Sequence, residues 1–301
     1  MRPVRAVALY FLLIFLGSAL LTPWLYLSIN RLKLSFPALE TLADEPFPRY
    51  FSRTLMALGL IGLWPLTRAL GFRSWQNVGL GTPPSWGKEC AKGFLLGFGS
   101  LAFVVLPALV SGARAIQGDL TLSRVLRHLG NAGAAAIVVS CLEEIFFRGV
   151  LFGGLRKRVR WPTALAASSL IYAALHFLHR AQLDGPVDWT SGFVVLGLVC
   201  EGFLRTEQLF PGFVNLTLAG MILGLAYQRA GVLYYPIGLH AGWIFWLKTY
   251  GFLSLEMPGT ARWFWGTGRL VDGCLASAVL ASLLVWQLKA KPNSNERSRS
   301  D

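Results

Sequence analysis

The chain has 301 residues, of which 54% are hydrophobic and only 14% charged, and its mean hydropathy is +0.52. A soluble protein carries about 25% charged residues, so the composition excludes a soluble enzyme and points to a membrane protein. The net charge of +13 would suggest a nucleic-acid partner in a soluble chain, but the basic residues are scattered over short loops with no interleaved aromatics; that pattern orients membrane proteins and leaves no nucleic-acid partner.

Several apolar runs approach or exceed the length of about 20 residues that crosses a bilayer, so the expected fold is all-α, a polytopic transmembrane helix bundle of about eight spans. The first span covers about residues 6–28. Arg2 and Arg5 precede it as in a signal peptide, but the apolar run is too long and no small-x-small cleavage site follows, so it reads as an uncleaved span. After a Pro-bearing loop, a second span covers 51–70, with Pro65 near its end, and a third covers 93–110. Residues 121–129 read as a short amphipathic surface helix. A fourth span, 130–152, ends at the basic cluster Arg156-Lys157-Arg158-Val159-Arg160, and a fifth covers 163–178. The apolar piece at 192–204 is short and broken by Glu201, so it reads as interfacial or re-entrant.

The sixth span, 213–227, carries Gly220 and Gly224 at a spacing that lets membrane helices approach closely. Gly231 marks a turn into the seventh span, 232–250; the aromatic stretch 251–268 looks interfacial, and the eighth span covers 270–288. The chain thus divides into N-terminal helices and loops (1–129), a core (130–250), an interfacial segment with the last span (251–289) and a disordered tail (290–301). Eight spans with basic residues inside put both termini in the cytoplasm, and the short loops favour a bacterial inner membrane. Cys90, Cys141, Cys200 and Cys274 have no C-x-x-C spacing and read as small core residues.

The fourth span contains Cys141-Leu142-Glu143-Glu144-Ile145-Phe146-Phe147-Arg148-Gly149. Charges are costly in hydrocarbon, so such residues mark either function or a buried ion network that fixes packing. On an α-helix Glu144 and Arg148 stand one turn apart on one face and neutralise each other. Glu143 points about 100° away and must find its partner on another helix.

The fourth and fifth spans form an antiparallel hairpin, and the midpoint between positions 143 and 176 falls in its loop near 153–162. Glu143 and His176 therefore share a depth of roughly 15–20 Å from the loop, and His240 on the seventh span lies roughly 12 Å from the same face. His128 and His179 sit near polar loops. One histidine in an apolar helix is more often a packing residue than a catalyst; two at the depth of an unpaired glutamate point to a reactive site.

A carboxylate in an apolar cavity can act as general base on water, one imidazole can hold that water and return a proton, and a second can polarise the carbonyl. This suffices for peptide hydrolysis without a covalent intermediate. The same Glu143, His176 and His240 form a His₂Glu set that could instead hold zinc, although H-E-x-x-H is absent. Cys141 and Ser140 neighbour the glutamate, but no Gly-x-Ser-x-Gly elbow exists for a nucleophilic mechanism.

Three motifs carry a family resemblance. They are Glu143-Glu144-x-x-x-Arg148; Tyr172-x-x-x-His176; and Gly220-x-x-x-Gly224 followed by Gly231-x-Leu233-x-x-Pro236-Ile237-Gly238-Leu239-His240-Ala241. In this order they resemble the CPBP family of intramembrane proteases, the CAAX-prenyl-protease-2-like or Abi family, over about residues 130–250. The resemblance implies a membrane endopeptidase, with 130–250 as its protease core, that cuts near the C-terminus of a membrane-tethered protein or peptide, prenylated or carrying a sorting tail. It implies Glu143 and His176 activating water, Glu144 and Arg148 supporting the site, and His240 assisting. The family is often described as metal-dependent, while its structural logic fits a metal-free, glutamate-type hydrolase; the expectation is no cofactor, with zinc as the alternative.

Two positions depart from the family pattern. Tyr172 stands where phenylalanine is more usual, and Ile244 where asparagine or a similar polar residue is usual, which removes an oxyanion donor. Trp243 or Trp246 could supply an indole N–H instead. Ile244 is also the best support for an inert chaperone or immunity protein on the same scaffold. A proton-coupled transporter would show repeated halves, and no such symmetry is apparent in the sequence.

Overall fold

The computed structural model describes residues 3–177, 182–205 and 209–290. His179, Arg180 and the tail after residue 290 lie outside the described residues. The helices are α1 (Pro3–Leu32), α2 (Glu40–Ala43), α3 (Phe47–Ala69), α4 (Trp86–Val110) and α5 (Leu122–Glu144), continued by a π-helical stretch (Ile145–Phe152). Then follow α6 (Gly153–Leu155), α7 (Trp161–His176), α8 (Ser191–Arg205), α9 (Leu209–Ala230), α10 (Tyr234–Leu253), α11 (Arg262–Trp265) and α12 (Cys274–Lys289).

Among the described residues, three helices are long and apolar enough to cross a membrane: Pro3–Leu32, Trp86–Val110 and Phe210–Ala230. The mostly helical, membrane-inserted architecture holds, but this measure does not reach eight spans. The remaining long helices carry charges, such as Arg49, Arg53 and Arg68 on α3, and α7, α8 and α12 are only 15 or 16 residues long.

Several local expectations are corrected. Residues 121–129 are not a separate surface helix: Thr121 caps α5, its hydroxyl accepting from the Arg124 N–H at 3.4 Å. The fold is not purely helical, because β1 (Arg114–Ile116) and β2 (Ser254–Glu256) pair antiparallel, Ala115 opposite Leu255. Three-residue strands are too short to announce themselves by alternation. The four cysteines are free but not core residues, Cys200 being exposed and the others half-buried.

Contacts divide the chain into two units, residues 1–73 with 177–207 and residues 74–176 with 208–301. In the first, α1 packs against α3 and α8 around Ala19, Phe47, Phe51, Val195 and Val199. The stretch expected to be interfacial forms α8, whose 15 residues fall short of a span.

The second unit is built on α10, which packs against α4 on one side and α5 on the other. Without a hydrophobic driving force between helices in lipid, close backbone approach has to supply the packing. Gly93 and Gly97 of α4 face Gly238 and Gly242 of α10, and a Cβ at Gly238 would lie 1.9 Å from the Cys90 carbonyl oxygen. This contact fixes the depth and rotation of α10, and so of His240. On α9, Gly224 leaves room for Leu165 of α7, where a Cβ would meet Leu165 Cδ1 at 2.3 Å. The apolar core of this unit gathers Leu101, Val104, Ile222, Leu239 and Leu280 from α4, α9, α10 and α12.

Candidate active site

The site begins where α5 changes pitch. The sequence reads as one α-helix through residue 152, but the α-helix ends at Glu144 and the backbone widens into the π stretch. From Phe147 to Leu155 every residue is buried, so this stretch is packed on all sides.

The two adjacent glutamates have different environments. Glu144 is fully buried, and its Oε1 accepts from Arg148 Nη1 at 2.9 Å and from His240 Nδ1 at 2.7 Å. Arg148, 2% exposed, also donates to the Gly220 carbonyl of α9 at 3.5 Å and lies 4.5 Å over the Tyr172 ring. Glu144 is thus neutralised by Arg148, as the i, i+4 spacing predicts. Its second bond, to His240, was not legible in the sequence. A carboxylate can only accept, so His240 Nδ1 carries the proton and its Nε2 faces the other way.

Glu143 points to that other side. Its Oε2 lies 3.6 Å from His176 Nε2 and 3.9 Å from His240 Nε2, and this buried oxygen has no hydrogen-bond partner among the described residues. The three groups come from α5, α7 and α10, so the structure brings together the residues that the depth argument matched. His176 is the last residue of α7, and its Nδ1 donates to the Tyr172 carbonyl at 2.8 Å. That bond leaves Nε2 of a neutral ring with its lone pair toward Glu143. The side chains of Glu143 and His176 are 25% and 30% exposed, whereas that of His240 is 5% exposed. The site is therefore open on the side of Glu143 and His176 and closed behind His240. Two apolar grooves, of about 550 Å³ between α4 and α12 and about 320 Å³ between α1 and α3, are not lined by these residues.

Glu143, His176 and His240 are the residues that would hold a zinc ion. Tetrahedral zinc with ligands at about 2.0–2.1 Å places donor atoms about 3.3 Å apart. The Glu143 oxygen stands wider than that from both imidazole nitrogens, at 3.6 and 3.9 Å. Among the described residues no group of three or more His, Cys, Asp or Glu is arranged to hold a metal ion. The three donors Glu143, His176 and His240 are thus grouped on one side of the site at a spacing somewhat wider than that of zinc ligands.

Position 244 is apolar in its surroundings as well as its chemistry. Ile244 is 6% exposed and packs with Ala136, Val139, Phe94 and Phe245. The expected indole substitutes are not free: Trp243 Nε1 donates to Ser100 Oγ at 2.9 Å, and Trp246 Nε1 to the Phe98 carbonyl at 2.9 Å. Both tryptophans face α4, because the α4–α10 contact sets the rotation of α10. The residue that sequence reasoning undervalued is Tyr172. It is 3% exposed, packs edge-to-face on Phe147, and places its hydroxyl 3.4 Å from His240 Nε2.

Residues 126–246 match the family described as Type II CAAX prenyl endopeptidase Rce1-like. This is the CPBP grouping to which the three motifs point, and the matched stretch contains Glu143, Glu144, Arg148, Tyr172, His176 and His240. No curated protein and no solved structure matches the chain.

Proposed function

We propose that this chain, whose residues 126–246 match the Rce1-like type II CAAX prenyl endopeptidase family, hydrolyses a peptide bond near the C-terminus of a lipidated or otherwise membrane-tethered protein, using water activated by Glu143 and His176. One observation carries the reading: an unbonded Glu143 oxygen stands 3.6 and 3.9 Å from imidazole nitrogens on two other helices. A gap of that width between polar atoms is where a bridging water belongs. We place the protein in a bacterial inner membrane with both termini in the cytoplasm, following the distribution of basic loops.

The chemistry follows from the donors and acceptors. His176 Nε2 accepts one proton of the water in a hydrogen bond, and Glu143 Oε2 takes the other proton. The water oxygen attacks the scissile carbonyl carbon, and the carbonyl π pair moves to oxygen. Glu143, now a carboxylic acid, gives its proton to the amide nitrogen as the C–N bond breaks, leaving a carboxylic acid and an amine. Glu144 and Arg148 remain a neutral pair that holds His240 by its Nδ1–H. No metal takes part in any of these steps.

The test is cleavage in proteoliposomes, using the full-length protein and quenched-fluorescence peptides that are farnesylated or anchored by a transmembrane helix. Wild type should cleave, and Glu143→Ala and His176→Ala should each lose about 10²–10⁴-fold in rate. A chelator should leave the rate unchanged. Cleavage that survives both substitutions would remove this reading, and loss of activity to the chelator with recovery on added zinc would replace its metal-free part.

A further inference from the structure

We propose that the Tyr172 hydroxyl is the hydrogen-bond donor that holds the oxyanion of the tetrahedral intermediate, an inference that rests on the hydrolytic reading above. Attack by water leaves a negative charge on the carbonyl oxygen, and one preorganised donor at that oxygen is worth about 10²–10³ in kcat.

Among the described residues, the other side-chain donors near Glu143 already have acceptors, although the five N–H groups of Arg148 are only partly used. Arg148 donates to Glu144 and to the Gly220 carbonyl. His176 Nδ1 donates to the Tyr172 carbonyl, and His240 Nδ1 to Glu144. His240 Nδ1 is engaged by Glu144 at 2.7 Å, and its Nε2 faces the Tyr172 hydroxyl at 3.4 Å. Ser140 Oγ donates to the Ile137 carbonyl, both indoles donate into α4, and Ile244 has no donor.

The Tyr172 O–H is in a different position. Its contact with His240 Nε2 is 3.4 Å, long for a hydrogen bond from a hydroxyl. Arg148 beside the ring can only donate, so the phenol proton is available to an acceptor entering the pocket. The ring is held by Phe147 at 4.9 Å and by Arg148 at 4.5 Å, which fixes the hydroxyl before substrate arrives. The two departures of this chain from the motifs it resembles are then complementary: a donor is missing at position 244 and an additional hydroxyl is present at position 172.

In the reaction the substrate carbonyl oxygen takes the phenol hydrogen bond from His240 Nε2. As the water oxygen bonds to carbon and Glu143 takes the water proton, the carbonyl π pair moves to oxygen. Tyr172 keeps its proton and donates a hydrogen bond to the charge. The pair returns as the C–N bond breaks, and the proton on Glu143 leaves with the amine.

Tyr172→Phe tests this in the full-length protein in proteoliposomes with the same peptides, alongside Glu143→Ala. The ring and its contacts stay, so the melting temperature should hold, kcat should fall about 10²–10³-fold and KM should change by less than about 3-fold. Full kcat in Tyr172→Phe, with Glu143→Ala inactive, would overturn the proposal and leave the hydrolytic reading standing. A Tyr172→Phe protein that fails to fold would give the hydroxyl a structural role and also overturn it. Full cleavage by Glu143→Ala would remove the reading and the proposal together.

Discussion

Helix α10 has two working faces, and they differ in kind. Toward α4 it presents Gly238 and Gly242, and the contact is backbone against backbone, with no room for a Cβ. Toward α5 it presents His240, held by Glu144, which is in turn held by Arg148. The first face is geometric and the second electrostatic. The glycine contact fixes where the imidazole sits, and the buried ion pair fixes which nitrogen carries its proton. Glu143 belongs to neither arrangement: like Glu144 Oε2, its Oε2 is buried without a hydrogen bond among the described residues, but it alone faces the Nε2 atoms of His176 and His240. Damage to the first face should therefore destroy the protein, damage to the second should cost stability and activity together, and damage at Glu143 should cost activity alone.

The largest effect is expected at the glycine face. Gly238→Leu puts its Cβ into the Cys90 carbonyl, where neither backbone can give way. The penalty should exceed the roughly 1–3 kcal/mol of ordinary overpacking. Size-exclusion chromatography in detergent should show aggregate in place of a folded species, and a folded, active Gly238→Leu would erase the distinction between the two faces.

Next comes the ion pair. Arg148→Met leaves the buried Glu144 charge without its cation, which costs about 3–5 kcal/mol. Thermal unfolding in detergent should show a large drop in Tm. Adding Glu144→Gln to that variant should recover most of the stability, because the uncompensated charge is gone, but not the activity, because His240 loses its carboxylate anchor. Recovery of both would mean that the Glu144–His240 bond is not needed for the reaction.

Glu143→Gln sharpens the contrast within the polar face. Glu143 gives up no hydrogen bond from Oε2, so Tm should stay within about 2 °C, while cleavage falls about 10²–10⁴-fold. A Tm loss comparable to that of Arg148→Met would make Glu143 a packing residue.

The smallest effect is a control in the other unit. Asp188 Oδ1 accepts from the N–H and hydroxyl groups of Thr190 and Ser191 at the start of α8. Those bonds, led by the Thr190 hydroxyl, hold its carboxyl below the usual aspartate range. A lowered folded pKa gives stability that is fully present above the unfolded value and is lost as pH falls through the folded value. Asp188→Ala should lower Tm slightly at neutral pH, and the difference from wild type should vanish in strong acid. Cleavage at neutral pH should not change.

The grouping of the candidate site residues was largely legible in the sequence because its elements are helical and its charges sit in apolar runs. The i, i+4 rule pairs Glu144 with Arg148, and counting residues from the hairpin loop matches Glu143 to His176 in depth. What the sequence could not give depends on helix rotation and pitch. A continuous α-helix through residue 152 and a π stretch from Ile145 look the same as an apolar string. The indoles of Trp243 and Trp246 looked available until the α4–α10 contact turned them away from the site. The role of Tyr172 depends on which nitrogen of His240 Glu144 binds, which no spacing rule encodes. Eight apolar runs are legible in the sequence, while three described helices are long and apolar enough to cross a membrane by length and composition.

The most direct measurement is an experimental structure of the protein in a lipid nanodisc at a resolution that shows ordered water. The account predicts solvent density within about 3.2 Å of Glu143 Oε2 and His176 Nε2, a normal hydrogen-bond reach, with His240 Nε2 behind it. Imidazoles turned toward the acyl chains, or an acid and rings too far apart to touch one water molecule, would contradict it.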